Sequence, residues 1–484
     1  MMFLRIFRFI LIASSATALL LVGNLGFSLS TPGIEQKTQL VSAKDLQINC
    51  TGPALLAGGI SGTSITSFRR LGSASLSLTY SGESQTSLAG FRPEPILGYG
   101  SRQELFMSIK RSSSLKVIDK TGKTEQGSKL LSANQIQLVS NKSLKGLLAA
   151  PCIRPQSEFW LVGGSSSVGR EAILMLNNPT TVDAIVDLEL FTENGPSSSA
   201  GLSGISVPRG KTTLVPLASF VLRASSLSVH VTSKGGSITA LIQQKAIRGT
   251  KSSGADFIAP APVAQLTSVF PGILVRGSAD SLKLRKAGDQ YSDIKNILRV
   301  FVPGDKDANL TLQVLGSNEE TFGTVLSVTA PAGRVSDFDI KGLADGDYFG
   351  YLESDVKVQS AIRLVRSKTT VDPYTDFAWL NAAEPFTTPR YIPVPKAGIS
   401  KLSIVNPGAN STTVSIRVGG ALVKTTIPAS SVVVIRATPG LSIGIEPGSE
   451  PVYANLIVDV NGRVAVLPVL DDKNISGQVS VSVH

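Results

Sequence analysis

The sequence predicts a mainly β protein, built of tandem antiparallel, immunoglobulin-like β-sandwiches that follow an N-terminal signal or anchor helix. Three observations carry this. An apolar–polar strand closed by a proline turn recurs as Leu174 and Leu176 before Asn178-Pro179, Leu298 and Val300 before Pro303-Gly304, and Leu402 and Ile404 before Asn406-Pro407. Repeats of this size are strung or stacked domains. A hydrophobic fraction of 42%, 17% charged residues and 45 glycines in 484 residues describe a folded, turn-rich chain. Each repeat also offers about six short strands at roughly 8 to 15 residue spacing and no amphipathic helix.

Residues 1–30 come first. Arg5 and Arg8 precede an uncharged run from Phe9 to Leu29, which as a helix rising about 1.5 Å per residue crosses a bilayer core. Ser28 and Ser30 fit the small-residue positions of a cleavage site, so the segment is either a signal peptide or an uncut anchor. Both arginines lie on the leading side, which leaves the rest of the chain extracytoplasmic and makes the membrane a partner through this segment. The chain has two cysteines, Cys50 and Cys152. In an exported protein an even count with no metal-like surroundings predicts one disulfide.

Residues 31–155 form a divergent β domain with short alternating pieces at Leu76 to Tyr80 and Gln135 to Val139. The repeats follow at 156–255, 256–375 and 376–484. In the first, Val186-Asp187-Leu188-Glu189-Leu190 alternates apolar and charged residues, as one buried and one wet face require. Its counterparts are Leu310 to Val314 and Val414 to Val418. Proline turns recur at Pro208-Arg209-Gly210-Lys211, Pro331-Ala332-Gly333-Arg334 and Pro428-Ala429-Ser430-Ser431. Two strands then close each unit: Leu227 to Val231 with Ile238 to Ile242, Tyr348 to Leu352 with Val358 to Leu364, and Leu441 to Ile445 with Val452 to Leu456. Helices should be scarce. Aromatic joints echo one another at Glu158-Phe159-Trp160, Asp256-Phe257-Ile258 and Asp376-Phe377-Ala378-Trp379, and they predict packed seams and a semi-rigid rod.

The run Gly146-Leu147-Leu148-Ala149-Ala150-Pro151-Cys152, then Glu158 to Gly164 and Leu174 to Pro179, resembles an uncharacterised family of secreted actinobacterial proteins, a domain of unknown function. Cys50-Thr51-Gly52-Pro53 looks like that family's Cys-Pro-Gly-Pro with threonine in place of the first proline. The resemblance implies an extracytoplasmic location and the cysteine pair. It implies no activity.

Chemistry-bearing motifs are few. His230 and His484 are the only histidines, which argues against histidine-rich metal sites and a Ser-His-Asp arrangement. His230 shares the polar strand face with Ser228 and Thr232 and is expected at the surface. Gly440-Leu441-Ser442-Ile443-Gly444 spells the nucleophile-elbow pattern, but its serine sits in an alternating strand. Ser113 and Lys116, Lys120-Thr121-Gly122 and Ser132-Ala133-Asn134 spell the three penicillin-binding elements, crowded into about twenty residues and in the wrong order. No enzyme, no cofactor and no metal site is therefore expected. Asp345-Gly346-Asp347 is the best Ca²⁺ candidate among the carboxylates Asp305, Asp307, Asp337, Asp339, Glu353 and Asp355.

Charge is polarised within a net +11. From Asn194 to Ala255 there are seven basic residues, Arg209, Lys211, Arg223, Lys234, Lys245, Arg248 and Lys251, and no acid, while Gly304 to Pro385 holds thirteen acids against seven bases. The seven basic residues are the candidate surface for an anionic envelope polymer or lipid headgroups. Nucleic acid is not an expected partner, because aromatic residues do not interleave with the basic ones. The reading is a non-enzymatic cell-envelope scaffold or binding protein. The alternatives are a carbohydrate-binding or carbohydrate-active module using Trp160, Trp379, Tyr374 and Tyr391, or an adhesin or assembly partner of another envelope protein.

Overall fold

The computed structural model describes residues 37–41, 46–58, 60–61, 64–65, 67–81, 86–89, 103–119, 130–318, 321–370, 373–470 and 477–481. The Phe9 to Leu29 segment, and with it the signal or anchor helix, lies outside them. Lys37–Val41 pairs antiparallel with Gly477–Val481 in a small unit of its own. Residues 44–474 form the main unit.

The protein is mainly β, with antiparallel sheets throughout the main unit. In the first sandwich one sheet runs Glu158–Val162, Leu227–Gly235, Ala184–Thr192, and the facing sheet runs Thr212–Pro216, Arg170–Asn177, Thr239–Arg248, Lys251–Ile258. The third repeats both orders. Its sheets are Arg390–Pro393, Ser442–Pro447, Thr412–Val418, Ala421–Ile427 and Ser431–Ala437, Ile399–Asn406, Tyr453–Val460, Arg463–Pro468. The recurrent strand of the sequence pattern is thus an inner strand each time. Val186, Leu188 and Leu190 are buried and Glu189 is exposed, as alternation requires.

The Asn-Pro that closes this strand has a physical reason. Asn178 and Asn406, each 1% exposed, plug the sandwich end. Asn178 Nδ2 donates to Val182 O at 2.8 Å and Val207 O at 2.9 Å, and its Oδ1 accepts Thr180 N at 3.0 Å. Asn406 repeats this with Asn410 O at 2.7 Å, Ile427 O at 3.2 Å and Gly408 N at 3.0 Å. One amide satisfies the carbonyls of two turns that would otherwise be buried unpaired.

The second sandwich joins what the sequence reads as two strands. Gly346–Lys368 is continuous for 23 residues. Its first part pairs with Ala308–Gly316 and its last part with Ile297–Phe301, so one strand passes from one sheet into the other. The sequence boundaries at 255/256 and 375/376 fall inside Lys251–Ile258 and Tyr374–Asn381, which pair with strands of the preceding unit and close it. The 31–155 and 376–484 segments each give up an end to the separate terminal pairing. One helix was not foreseen, Ser278–Ala287. It is weakly amphipathic and shows itself only in its ends, with Gly277 before it, Gly288 after it, Asp280 in its first turn and Arg285 and Lys286 in its last.

The N-terminal domain packs Leu46–Cys50, Ser113–Asp119 and Thr86–Ala89 against Lys145–Pro151, Leu130–Ser140, Ala74–Ser81 and Gln103–Ile109. A disulfide joins Cys50 and Cys152 across it, within a core of Ile48, Leu76, Leu78 and Leu115. At Thr51-Gly52, Gly52 has φ +86° and an added Cβ would lie 2.5 Å from Arg111 C, so only glycine fits. Gln135 brackets it: its Oε1 accepts Gly52 N at 2.8 Å and its Nε2 donates to Gly52 O at 2.7 Å. Gln135 and Gln137 are buried rather than wet, because the segment after Cys50 covers their face.

The semi-rigid rod is not what forms. The closing strands of the four units, Lys145–Pro151, Lys251–Ile258, Tyr374–Asn381 and Arg463–Pro468, meet around a common centre, each touching the next and the last returning to the first. The circuit closes because the third sandwich docks on the N-terminal domain: Asn134 Nδ2 donates to Pro393 O at 2.7 Å, and Ser442 Oγ to Glu104 Oε1 at 2.6 Å.

Candidate functional site

Sheet-edge strands brought together in an interior bury unpaired backbone groups, which need partners. Two carboxylates supply them. Asp376 Oδ2 accepts Leu147 N at 3.0 Å and its Oδ1 accepts Ala255 N at 3.2 Å, while Asp256 Oδ2 accepts Trp379 N at 2.8 Å. Asp256 and Asp376 are 2% and 1% exposed. Burial pushes the Asp376 carboxyl up to about 8 against the pull of its N–H donors, and pushes Asp256 well above the usual carboxylate range. The joints read as seams at Asp256 and Asp376 are seams. Glu158-Phe159-Trp160 is not their equivalent, since Glu158–Val162 opens a sandwich and the other two lie in closing strands.

The seam between the first and second sandwiches carries a second polar cluster. Arg299 is wholly buried. It grips Asp337 with two hydrogen bonds, Nε to Oδ1 at 2.7 Å and Nη2 to Oδ2 at 2.8 Å, and donates Nη1 to Gly164 O at 2.5 Å and Nη2 to Ser225 O at 3.2 Å in the other sandwich. Its guanidinium lies 4.7 Å from the Trp379 ring centroid. Arg299 holds Asp337 below the usual carboxylate range, against the desolvation that the seam imposes. Nearby, Arg248 Nη1 meets Asp293 Oδ1 at 2.5 Å, Arg170 pairs with the other oxygen, and Arg363 Nη2 donates to Asp293 O at 2.8 Å. This brings Asp293 down to about 2, while burial among arginines brings Arg363 down to about 10. The gap left here is about 10 Å³, room for roughly one water. The cluster fastens domains and offers no space to a substrate.

The seven basic residues read as one surface do not gather into one. Lys245 Nζ lies 3.1 Å from Glu171 Oε1, and Arg248 is committed to Asp293. Arg209 and Lys234 sit beside Asp183 and Asp187, at 3.6 and 3.3 Å. Lys211, Arg223 and Lys251 are exposed. Counting acids only within Asn194 to Ala255 missed these partners, all of which come from strands or loops outside that stretch.

The acids of the second repeat are likewise dispersed. Asp345 caps the helix, accepting Gly277 N at 2.9 Å and Ser278 N at 3.0 Å. Asp347 pairs with Arg276 at 2.9 Å and with Lys401 of the third sandwich at 2.7 Å. Asp339 pairs with Lys295 at 2.6 Å, and Asp355 accepts Asn309 N and Nδ2. Among the described residues no three of these ligand types converge.

His230 is not simply a surface histidine. Its side chain is 15% exposed, with Nδ1 at 2.7 Å from Glu189 Oε2 and Nε2 at 2.9 Å from Glu158 Oε1, and it stacks on Trp160 at 4.1 Å. Phe301 of the next sandwich lies 5.5 Å from the same indole. Trp379 is 4% exposed, its Nε1 donating to Gln244 Oε1 at 2.8 Å, and Tyr374 OH donates to Gly462 O at 2.8 Å. Trp160, Trp379 and Tyr374, three of the four rings of a sugar platform, are thus consumed in seams, and Tyr391 is half-buried in the third sandwich. Ser442 lies in strand Ser442–Pro447 with its hydroxyl on Glu104. Lys120-Thr121-Gly122 lies outside the described residues, and Ser113 and Ser132 sit on separate strands, Ser113–Asp119 and Leu130–Ser140.

A protein-family model described as a family of unknown function (DUF5719) matches residues 110–444. No curated protein matches the chain. Among solved structures, a biofilm-associated protein, BSP domain, is similar at 9% identity, covering 91% of this chain and 97% of its own, with a TM-score of 0.12. A Ca²⁺-stabilized adhesin that helps an Antarctic bacterium reach out and bind ice is similar at 10% identity over 88% and 94%, with a TM-score of 0.11. Scores this low carry no argument.

Proposed function

The chain belongs to this family of unknown function, DUF5719, and from that premise we propose that it is a non-enzymatic extracytoplasmic scaffold of the cell envelope that holds anionic polymer or headgroups on exposed basic surface. The observation that carries the reading is where the reactive side chains are used. Arg299, Asp337, Asp256, Asp376 and Trp379 all lock seams of a closed circuit of β units, which leaves the unshared outer faces for contact. The Cys50–Cys152 bridge supports an oxidising compartment. The net charge of +11 supports an anionic partner.

Sedimentation of the purified chain with isolated envelopes tests this. Retention should fall as salt rises from about 0.1 M to about 1 M, over which the Debye length shortens from about 10 Å to about 3 Å. Retention unchanged across that range counts against the basic-surface reading.

A further inference from the structure

The second sandwich is hollowed beside its helix. A cavity of about 310 Å³ lies between Ser278–Ala287, the end of strand Gln265–Val275, the Ile294 to Asn296 loop and residues 339–343. Its wall is of two kinds. Val275, Ile294, Ile340 and Val365 form an apolar part, and the polar part holds four cations, Arg276, Arg285, Lys295 and Lys341, against one acid, Asp339.

The cations are not equally committed. Lys295 is taken by Asp339 and Arg276 by Asp347. Arg285 and Lys341 are exposed and have no acidic partner among the described residues. No aromatic ring lines the cavity, so nothing is offered to a nucleobase. Groups suited to hydroxyls are present. Asn296 uses its Oδ1 on Val365 N at 2.9 Å and keeps its amide N–H donors, and Asp339 has a second oxygen.

We infer that this cavity binds the phosphate ester of a small polyol, with Arg285 and Lys341 meeting the phosphate, Asn296 and Asp339 the hydroxyls, and the apolar wall the carbon chain. Two uncompensated cations match a phosphate dianion better than a single carboxylate. The volume lies at the lower end of ligand pockets, which suits one such unit rather than a large ligand. The inference rests on the preceding reading only in taking the ligand from anionic envelope material.

Isothermal titration of the full chain with sn-glycerol 3-phosphate tests it, with inorganic phosphate and glycerol as separate probes. Glycerol phosphate should bind more tightly than phosphate, and glycerol should give no heat. Arg285→Ala or Lys341→Ala should each weaken binding about tenfold, the loss of one charge-assisted contact. Lys424→Ala, an exposed cation of the third sandwich, should leave it unchanged. No heat with millimolar glycerol phosphate, or equal affinity in the Arg285→Ala/Lys341→Ala double variant, overturns the inference. Binding to phosphatidylglycerol vesicles without binding to free glycerol phosphate also overturns it, since the surface then reads a membrane. Salt-sensitive envelope retention with silent titrations sinks this site alone, and salt-insensitive retention with positive titrations sinks the broader reading alone.

Discussion

Asp376 takes the backbone N–H of Leu147 at 3.0 Å across 229 residues of sequence. The bond joins the closing strand of the second sandwich to that of the N-terminal domain, two units that are not neighbours in the chain. A buried carboxylate here serves as a backbone partner where two sheet edges meet without pairing.

That placement makes stability depend on pH. Asp376 titrates near 3.8 when exposed and at about 8 when folded, so between those values the folded chain holds a proton that the unfolded chain releases. Its contribution is complete below the unfolded value and is lost as pH rises towards about 8, with a limiting slope of about 1.4 kcal/mol per pH unit. Asp256 acts in the same direction. Urea midpoints measured from about pH 5 to about pH 8 should fall for the native chain and fall less for Asp376→Asn, which cannot ionise. Parallel curves would refute the assignment.

Gly146 lies against the same centre. A Cβ there would stand 2.4 Å from Ala255 N and 2.9 Å from Asp376 Oδ1, with φ at +157°. Gly146→Ala should destabilise by on the order of 3 kcal/mol, through a clash that rigid strands cannot relieve. Gly420→Ala, with nothing within 4 Å, is the control and should cost less than about 1 kcal/mol. Equal denaturation midpoints for the two variants would show that the seam yields.

Arg299→Met leaves Asp337 and the carbonyls of Gly164 and Ser225 without their donor and should cost on the order of 3 kcal/mol. Arg299→Met with Asp337→Leu removes both charges and should recover part of the loss. A double variant as unstable as the single would mean that the bonds to Gly164 O and Ser225 O, rather than the ion pair, hold the seam.

The Cys50–Cys152 bridge spans 102 residues, for which chain entropy predicts stabilisation of up to about 4.7 kcal/mol. Cys50→Ser/Cys152→Ser should lower the denaturation midpoint without changing the native circular dichroism. A free-thiol titration of the denatured, unreduced native chain should find none.

How much was legible follows from the range of each interaction. The strand pattern and the Asn-Pro turns answer to residues a few places away, so Leu174 to Pro179 and Leu402 to Pro407 announce inner strands closed by a plug. Asp256 and Asp376 stood out as echoing joints, but their role as acceptors for neighbouring strands did not. Arg299, between Leu298 and Val300, reads as a wet-face residue, and it is buried because another sandwich covers that face. The helix beside the cavity escaped notice because its apolar periodicity is weak and only its ends are marked. The candidate basic surface failed as a group for the opposite reason: its residues are near in sequence, and their acidic partners lie in strands and loops that sequence distance does not rank.

The sequence by itself determined a β-sandwich repeated three times behind a divergent domain with one cysteine pair, because side-chain alternation, turn chemistry and cysteine count are local or compositional properties. The tertiary structure decided that the four units of residues 44–474 close on one another rather than extend as a rod, that one strand of the second sandwich serves both sheets, and that the buried charges Arg299, Asp256 and Asp376 are held in seams. Those outcomes depend on which faces meet, and desolvation and pairing act between groups far apart in the chain.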